Sequence, residues 1–369
     1  MKIICPKQSL LAGVQTVSRA VPSKTTMPTL ECILIDATKG IITLTANDME
    51  LAIETIVEGE IAERGMIAID AKFLLEIVRK LPDSDITISS DNSCKTSIVC
   101  EKSRFHIIGK PGEDFNRLPE YDRSDSIVIG QYTLKDIVRQ TIFSIADNEN
   151  NKMMTGELLQ INGQVLKIVS LDGHRISVRK VILRDYYESH KVVVPGKTLN
   201  EVSKILNGDG DSSVMIYFSD KHIAFEFGDT IVVSRLIEGE YFRIDQMFQN
   251  DYETKVNINR KEFLDCIDRA TLLVKEGDKK PIILSITDDS MELKINSVIG
   301  SMKEDLNIEK SGRDMMIGFN PKFLIDALRV IDDERVDIYL LNSKSPCVIK
   351  NFEETYMYLI LPVNFTTVN

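Results

Sequence analysis

The chain has 369 residues, 43% of them hydrophobic and 27% charged, with a net charge of −11. That length suits two or three domains and that balance a globular chain rather than a disordered or fibrous one, while the negative sign by itself disfavours nucleic acid. Six scattered cysteines (Cys5, Cys32, Cys94, Cys100, Cys266, Cys347) without a C-x-x-C pair argue against a zinc or disulfide framework and suit a reducing compartment.

The opening MKIICPKQSLL is interrupted too soon for a signal peptide, and no apolar run approaches the about 18 residues of a membrane span, so a cytoplasmic chain is expected. Residues 2–5 read as a strand. Residues 7–20 read as a helix with Leu10, Leu11, Val14 and Val17 on one face. Pro22 and Pro28 bracket a loop holding Lys24. Segments 33–35 and 41–45 predict a hairpin about Lys39-Gly40, and 51–57 and 66–69 follow as strands. Asp70 is placed to cap a helix over 72–80, which Pro82 stops. Strands at 86–89, 96–100 and 105–108 close the first unit.

The order then repeats. Strand 126–129 precedes a helix over 132–146 and a polar loop at 147–151. Strands follow at 158–161, 165–170, 176–183 and 192–194, then a helix over 197–206 ending near Gly208, then strands 214–218, 222–227 and 230–237. The third round has strand 255–258, helix 262–274, strands 282–286, 291–295, 302–308 and 315–319, helix 322–331, and strands 336–341, 347–350 and 355–361. Two helices and about eight short strands per round predict an α+β module repeated three times.

The repeat is visible in the letters. KFLLEIVRK at 72–80, KTLNEVSKI at 197–205 and KFLIDALRV at 322–330 each have a Lys, then Leu, then a carboxylate (Glu76, Glu201, Asp326), then a cation (Arg79, Lys204, Arg329). Their first lysines, at 72, 197 and 322, are evenly spaced, which points to an internal triplication with modules over 1–122, 123–249 and 250–369. Counted over 7–20, 71–80, 131–146, 196–206, 260–275 and 321–331, the six helical segments each carry net positive charge, so the rest of the chain is more acidic than the total of −11 implies. Basic helices within an acidic remainder suit a phosphate backbone, with about one charge per 1.7 Å of duplex axis. No aromatic stacking cluster or zinc finger is present to read bases, so binding without sequence readout is expected.

Together with the triplication, SLDGHRIS at 170–177, LIEGEYF at 236–242 and LILPVNF at 359–365 resemble the bacterial DNA sliding clamps, the beta subunits of DNA polymerase III, over the full length. The resemblance implies a ring-shaped head-to-tail homodimer of clamp modules, helices lining a central hole that duplex DNA passes through. It implies a processivity factor that tethers the polymerase III alpha subunit, the clamp loader and repair polymerases through short linear motifs, with no membrane partner, cofactor, metal or catalytic residue. Head-to-tail contact would fall on Phe105 and Ile107 against Leu272 and Leu273. Lys24 matches a DNA-contacting position, and Arg79, Lys80, Lys197, Lys204 and Arg329 are DNA-facing by helix position.

The implied peptide groove lies between the second and third modules, at Met154, Leu171, Gly173, His174, Arg175, Ile176, Phe242, Gln246 and Met247 on one side. Asn320, Phe323, Pro346, Leu359, Ile360, Leu361, Pro362 and Val363 form the other. Apolar and Met side chains suit varied partners, with His174, Arg175 and Asn320 fixing orientation. The chain departs from the family at Phe242, where a Pro is usual, and at Gln246, where a cation is usual, which implies a bulkier and less charged wall. Met153-Met154 replaces an aromatic pair, and 366–369 extend past the usual end and would partly shade the groove. An enzyme is disfavoured: Asp172 and His174 share a turn with no nucleophile, and the chain has no P-loop, G-x-S-x-G or H-E-x-x-H. A protein-binding scaffold without DNA is the other alternative.

Overall fold

The computed structural model describes residues 1–147, 151–208, 210, 212–248, 251–274 and 280–365; the extension at 366–369 and part of the expected loop at 147–151 lie outside them. In the first repeat, Lys2–Pro6 (β1) enters the helix Lys7–Val17 (α1). Cys32–Asp36 (β2), Ile42–Asn47 (β3), Leu51–Val57 (β4), Glu60–Glu63 (β5) and Met66–Asp70 (β6) lead to Ala71–Lys80 (α2). Asp85–Ser90 (β7), Lys95–Cys100 (β8), Ser103–Ile108 (β9) and Lys110–Pro111 (β10) finish it. The second has Ser126–Gly130 (β11), Gln131–Arg139 (α3), Gly156–Leu171 (β12), Arg175–Pro195 (β13), Gly196–Ile205 (α4), Ser213–Phe218 (β14), His222–Phe227 (β15) and Thr230–Arg235 (β16). The third has Thr254–Asn259 (β17), Arg260–Thr271 (α5), Ile282–Thr287 (β18), Ser290–Asn296 (β19), Ser301–Gly312 (β20) and Met315–Phe319 (β21). It ends with Pro321–Val330 (α6), Arg335–Leu340 (β22), Cys347–Lys350 (β23) and Tyr356–Ile360 (β24). Three modules of helices and antiparallel strands make the chain an α+β protein.

Local chemistry sets the helix starts. The Asp70 carboxylate accepts the Phe73 amide at 2.9 Å, Asn259 accepts the Glu262 amide at 3.0 Å, and Asn320 accepts the Lys322 amide at 3.1 Å, each occupying an amide that lacks an intrahelical partner. Pro321 sits in the first turn of α6, where its missing N–H costs nothing. The apolar stripe is buried: Leu74 and Val78 on α2, Phe263, Cys266, Ile267 and Ala270 on α5, Leu324 and Leu328 on α6.

Three expectations are revised. The helix expected over 132–146 stops at Arg139, and a separate 3-10 turn follows at Ile142–Ser144; the Thr141 hydroxyl bonds back to the Ile137 carbonyl at 2.9 Å. The first helix likewise tightens into a 3-10 turn at Ser18–Ala20. The four short strands expected over 158–194 are two long ones, β12 and β13, paired from Gly156↔Pro195 to Leu171↔Ile176 with irregularities on either side of Gly163. Gly163, at φ +62°, absorbs a bulge without ending the strand.

The chain divides into two compact units. One comprises Met1–Leu134 and Asn200–Leu236, the other Lys135–Leu199 and Ile237–Asn369. The first holds a sheet of order β5-β1-β7-β8-β9 and one of order β10-β6-β2-β3-β4-β16-β15-β14-β11, with α1 against α2. The second holds a ten-stranded sheet, β12-β13-β24-β23-β22-β17-β20-β19-β18-β21, with α5 against α6. Each unit thus crosses a repeat boundary by one antiparallel strand pair, β4 with β16 in the first and β13 with β24 in the second.

Candidate functional site

Strand register in the second unit builds a sheet face row by row. Leu171 pairs with Ile176, Ile176 with Leu359, Leu359 with Val348, and Val348 with Tyr339. Two residues along, Val169, Val178, Met357 and Lys350 form the next row on the same face, because side chains alternate with period two. Tyr241 and Ile244 are buried on this face, and Met154 and Phe242 pack at its margin. Tyr241 is anchored by its hydroxyl, which donates to the Val169 carbonyl at 3.2 Å. Burial, with Glu157 nearby, pushes the Tyr241 phenol above its ordinary range.

Over the first row lies a cleft of about 290 Å³, lined by Gln246, Met247, Tyr252, Tyr339, Pro346, Val348, Leu359 and Leu361 among others. Of the residues singled out in the sequence, Gln246, Met247, Pro346, Leu359 and Leu361 meet here, with Leu171 and Ile176 continuing the floor. Asp251, Tyr252, Tyr339, Leu341, Ser345, Val348 and Lys350 were not foreseen. Alternation from Pro346 would have pointed to Val348 and Lys350. The edge-to-face pair Tyr252–Tyr339, 4.9 Å between centroids, depends on tertiary packing and leaves no local signal.

Arg175 and Ile360 pair with each other and turn to the opposite face. Ile360 is buried in the core of the third module. Arg175 is also buried: Nε donates to Asp172 at 3.0 Å, Nη1 to Asp326 at 2.7 Å, and Nη2 to the Phe143 carbonyl. Its guanidinium also lies over the Phe323 ring at 4.6 Å. All three of its side-chain nitrogens are thus engaged internally, which gives Arg175 a structural role at the turn. Asn320 is likewise occupied as a helix cap. His174 remains exposed, stacked on Phe323 with 6.0 Å between centroids, and its carbonyl accepts the Leu361 amide at 2.9 Å. Gly173 has φ +87°, which the Asp172–Arg175 turn requires. Pro362 is half-buried, and the Val363 amide donates to Gly318 at 2.8 Å, holding the chain end along the cleft margin.

The cationic candidates are exposed, and carboxylates pair with Arg79, Lys80, Lys204 and Arg329. Arg79 and Lys80 bond Glu76 at 2.7 and 3.6 Å, Lys204 bonds Glu201 at 2.7 Å, and Arg329 bonds Asp268 at 3.2 Å. Glu201 also receives Arg19 at 3.0 Å, and these cations hold its carboxyl below the ordinary range against the opposing effect of burial. Lys24 and Lys197 are exposed. The interface candidates are surface apolar groups: Phe105 is 39% exposed and Leu272 80%, while Ile107 and Leu273 are half-buried. Ile108, Val298 and Ile299 are exposed apolar side chains as well. Among the described residues no cluster of His, Cys, Asp and Glu is placed to hold a metal, and no helix is long and apolar enough to cross a membrane.

Three family models match in succession: the N-terminal, central and C-terminal domains of the DNA polymerase III beta subunit, over residues 1–119, 128–242 and 245–364. A beta sliding clamp of Staphylococcus epidermidis is 35% identical over 356 residues, spanning 94% of both chains. A solved chain described as a DNA polymerase III beta subunit from Eubacterium rectale is 64% identical, covers 100% of both chains and superposes with a TM-score of 0.98. The Bacillus subtilis DNA polymerase sliding clamp is 32% identical with a TM-score of 0.96, covering 99% of this chain and 100% of its own. The chain belongs to the bacterial sliding clamp family, the beta subunits of DNA polymerase III.

Proposed function

We propose that this chain is the processivity factor of a replicative DNA polymerase. Two copies close head to tail into a ring of six modules, bounded in each chain near 1–122, 123–249 and 250–369, that encircles duplex DNA in the cytoplasm without reading its sequence. The ring catalyses nothing. It keeps its partners on the template by holding short linear motifs of the polymerase III alpha subunit, the clamp loader and repair polymerases in the cleft over Leu171, Ile176, Leu359 and Val348.

One observation carries the ring. Adjacent modules are joined by the same antiparallel pairing, β4 with β16 and β13 with β24, each time between a strand before one module's second helix and the last long strand of the next. The strands left in those two positions are β20 of the third module and β9 of the first. Residues 301–307 of β20 pair with β19 on one side and with no described strand on the other, and β9 ends its sheet. An open edge carries a row of unsatisfied N–H and C=O groups that a strand of another chain can complete. A heterologous joint of this kind closes into a ring when its rotation allows. Apolar Phe105 and Ile107 beside one edge, and Leu272 and Leu273 in the third module, supply the side-chain contact.

The exposed cations suit sliding, since contacts with the phosphate backbone carry no sequence register. Light scattering tests the assembly: a mass of two 41.7 kDa chains at micromolar concentration is expected, and a single chain overturns the ring.

A further inference from the structure

We propose that the lysines beyond the apolar floor of the cleft form a subsite for an acidic side chain, Asp or Glu, carried by the same partner peptide about four residues from its apolar anchor. The proposal rests on the reading of the cleft as a peptide groove and adds a specificity to it.

The register places this subsite. From the row of Leu171, Ile176, Leu359 and Val348, the sheet face steps to Val169, Val178, Met357 and Lys350, then to Lys167 paired with Lys180. Four residues along a strand span about 13 Å, which an extended peptide also covers in about four residues. A second cavity of about 200 Å³ lies at this end, lined by Lys167, Lys180, Lys350, Asp245 and Glu354 with apolar neighbours. It shares Val348 and Lys350 with the cleft, so one occupant can run from one to the other.

The charge balance favours an acid. Lys167 bonds Asp245 at 2.8 Å and Lys350 bonds Glu354 at 2.6 Å. Lys180 acts electrostatically on both carboxylates and Lys191 on Asp245, and together with their bonded lysines they hold Asp245 and Glu354 below the ordinary carboxylate range. The cluster therefore has cations in excess within a chain of net charge −11. Lys350 is steadied over the Tyr339 ring at 5.3 Å. The Lys167 side chain is only 17% exposed while that of Asp245 is 86% exposed, so an incoming carboxylate can displace Asp245 into water and keep a fixed ammonium. In the cavity lining three lysines face two carboxylates, which leaves room for a single negative charge, and the carboxylates repel a duplex backbone.

The test uses the full-length protein and synthetic fluorescent decapeptides. Each carries a Leu-Phe anchor, and Glu, Gln or Lys four residues from it. Anisotropy titrations should rank Glu above Gln above Lys, the Glu-to-Gln ratio about threefold to fivefold and shrinking with added salt. Lys180→Glu should invert the ranking, and Lys180→Gln should bring the Glu-to-Gln ratio close to one, with unchanged circular dichroism showing that each variant is folded. Equal binding of the three peptides by the wild type, or an unchanged ranking in both variants, overturns the subsite while leaving the groove. Failure of every anchored peptide to bind, or binding indifferent to replacing the anchor with Ala, overturns the groove and the subsite with it.

Discussion

Glu157 gives the sharpest test of the packing around the cleft. It lies on β12 with 0% exposure, and neither carboxyl oxygen has a hydrogen-bond partner. The neighbouring Thr141 hydroxyl spends its proton on the Ile137 carbonyl at 2.9 Å, leaving a lone pair that suits a protonated acid better than a carboxylate. Burial pushes the Glu157 carboxyl up from 4.5 to about 8. Between those values the folded protein holds a proton that the unfolded chain has released. Stability is then full below the unfolded value, falls by up to about 1.4 kcal/mol per pH unit, and levels off above the folded value. The total loss is of the order of 5 kcal/mol.

Glu157→Gln removes the charge at nearly constant shape and leaves the site as short of partners as before. Thermal unfolding of both proteins from pH 5 to pH 9 should show similar midpoints at the acid end. The variant should be higher at the alkaline end by about 10–20 °C, at about 2–4 °C per kcal/mol for a unit of this size. Parallel pH profiles would refute the reasoning, because they require the Glu157 carboxyl to be ionised at little cost in the fold.

Three further outcomes follow from the same geometry. Arg175→Ala leaves Asp172 and Asp326 without their buried cation and should cost about 3–5 kcal/mol in urea unfolding, whereas His174→Ala, at an exposed ring, should change stability by about 0.5 kcal/mol or less and weaken peptide binding. Gly318→Ala would set a Cβ 2.6 Å from the Phe365 ring and 2.9 Å from the Val363 carbonyl, so amide exchange at Val363 should accelerate and anchored peptides bind less well. Leu272→Glu, at an 80% exposed site, should leave the unfolding midpoint unchanged and shift the scattering mass toward one 41.7 kDa chain.

Much of this was legible in the sequence because its causes are local. The cap at Asp70 and the apolar face of α1 act within a few residues, and the repeated motif marks the second helix of each module. Long β pairing was less legible. Asn162-Gly163 reads as a turn, yet β12 continues through it because β13 holds it on both sides. The polar run at 185–190 reads as a break, yet it belongs to β13, an exposed arm kept extended by pairing rather than burial.

In the groove, identity at a position did not reveal which face a side chain takes. Arg175 and Ile360 stand one residue from Ile176 and Leu359 and so point the other way. The motif carboxylate also changes partner with its tertiary setting. Glu76 bonds the cations of its own helix, whereas Asp326 is taken by Arg175 and its helix's Arg329 turns to Asp268. No spacing rule within the motif records that exchange.

Encirclement of DNA is the claim on which the rest depends, and topology tests it directly. The labelled protein is loaded onto a nicked circular plasmid with a bacterial clamp loader, freed of unbound protein by gel filtration in salt high enough to screen phosphate contacts, and then challenged with an enzyme that linearises the circle. Retention on the intact circle followed by rapid release once the circle is cut is the predicted result. Loss from the intact circle at the same rate as from the linear form would contradict it.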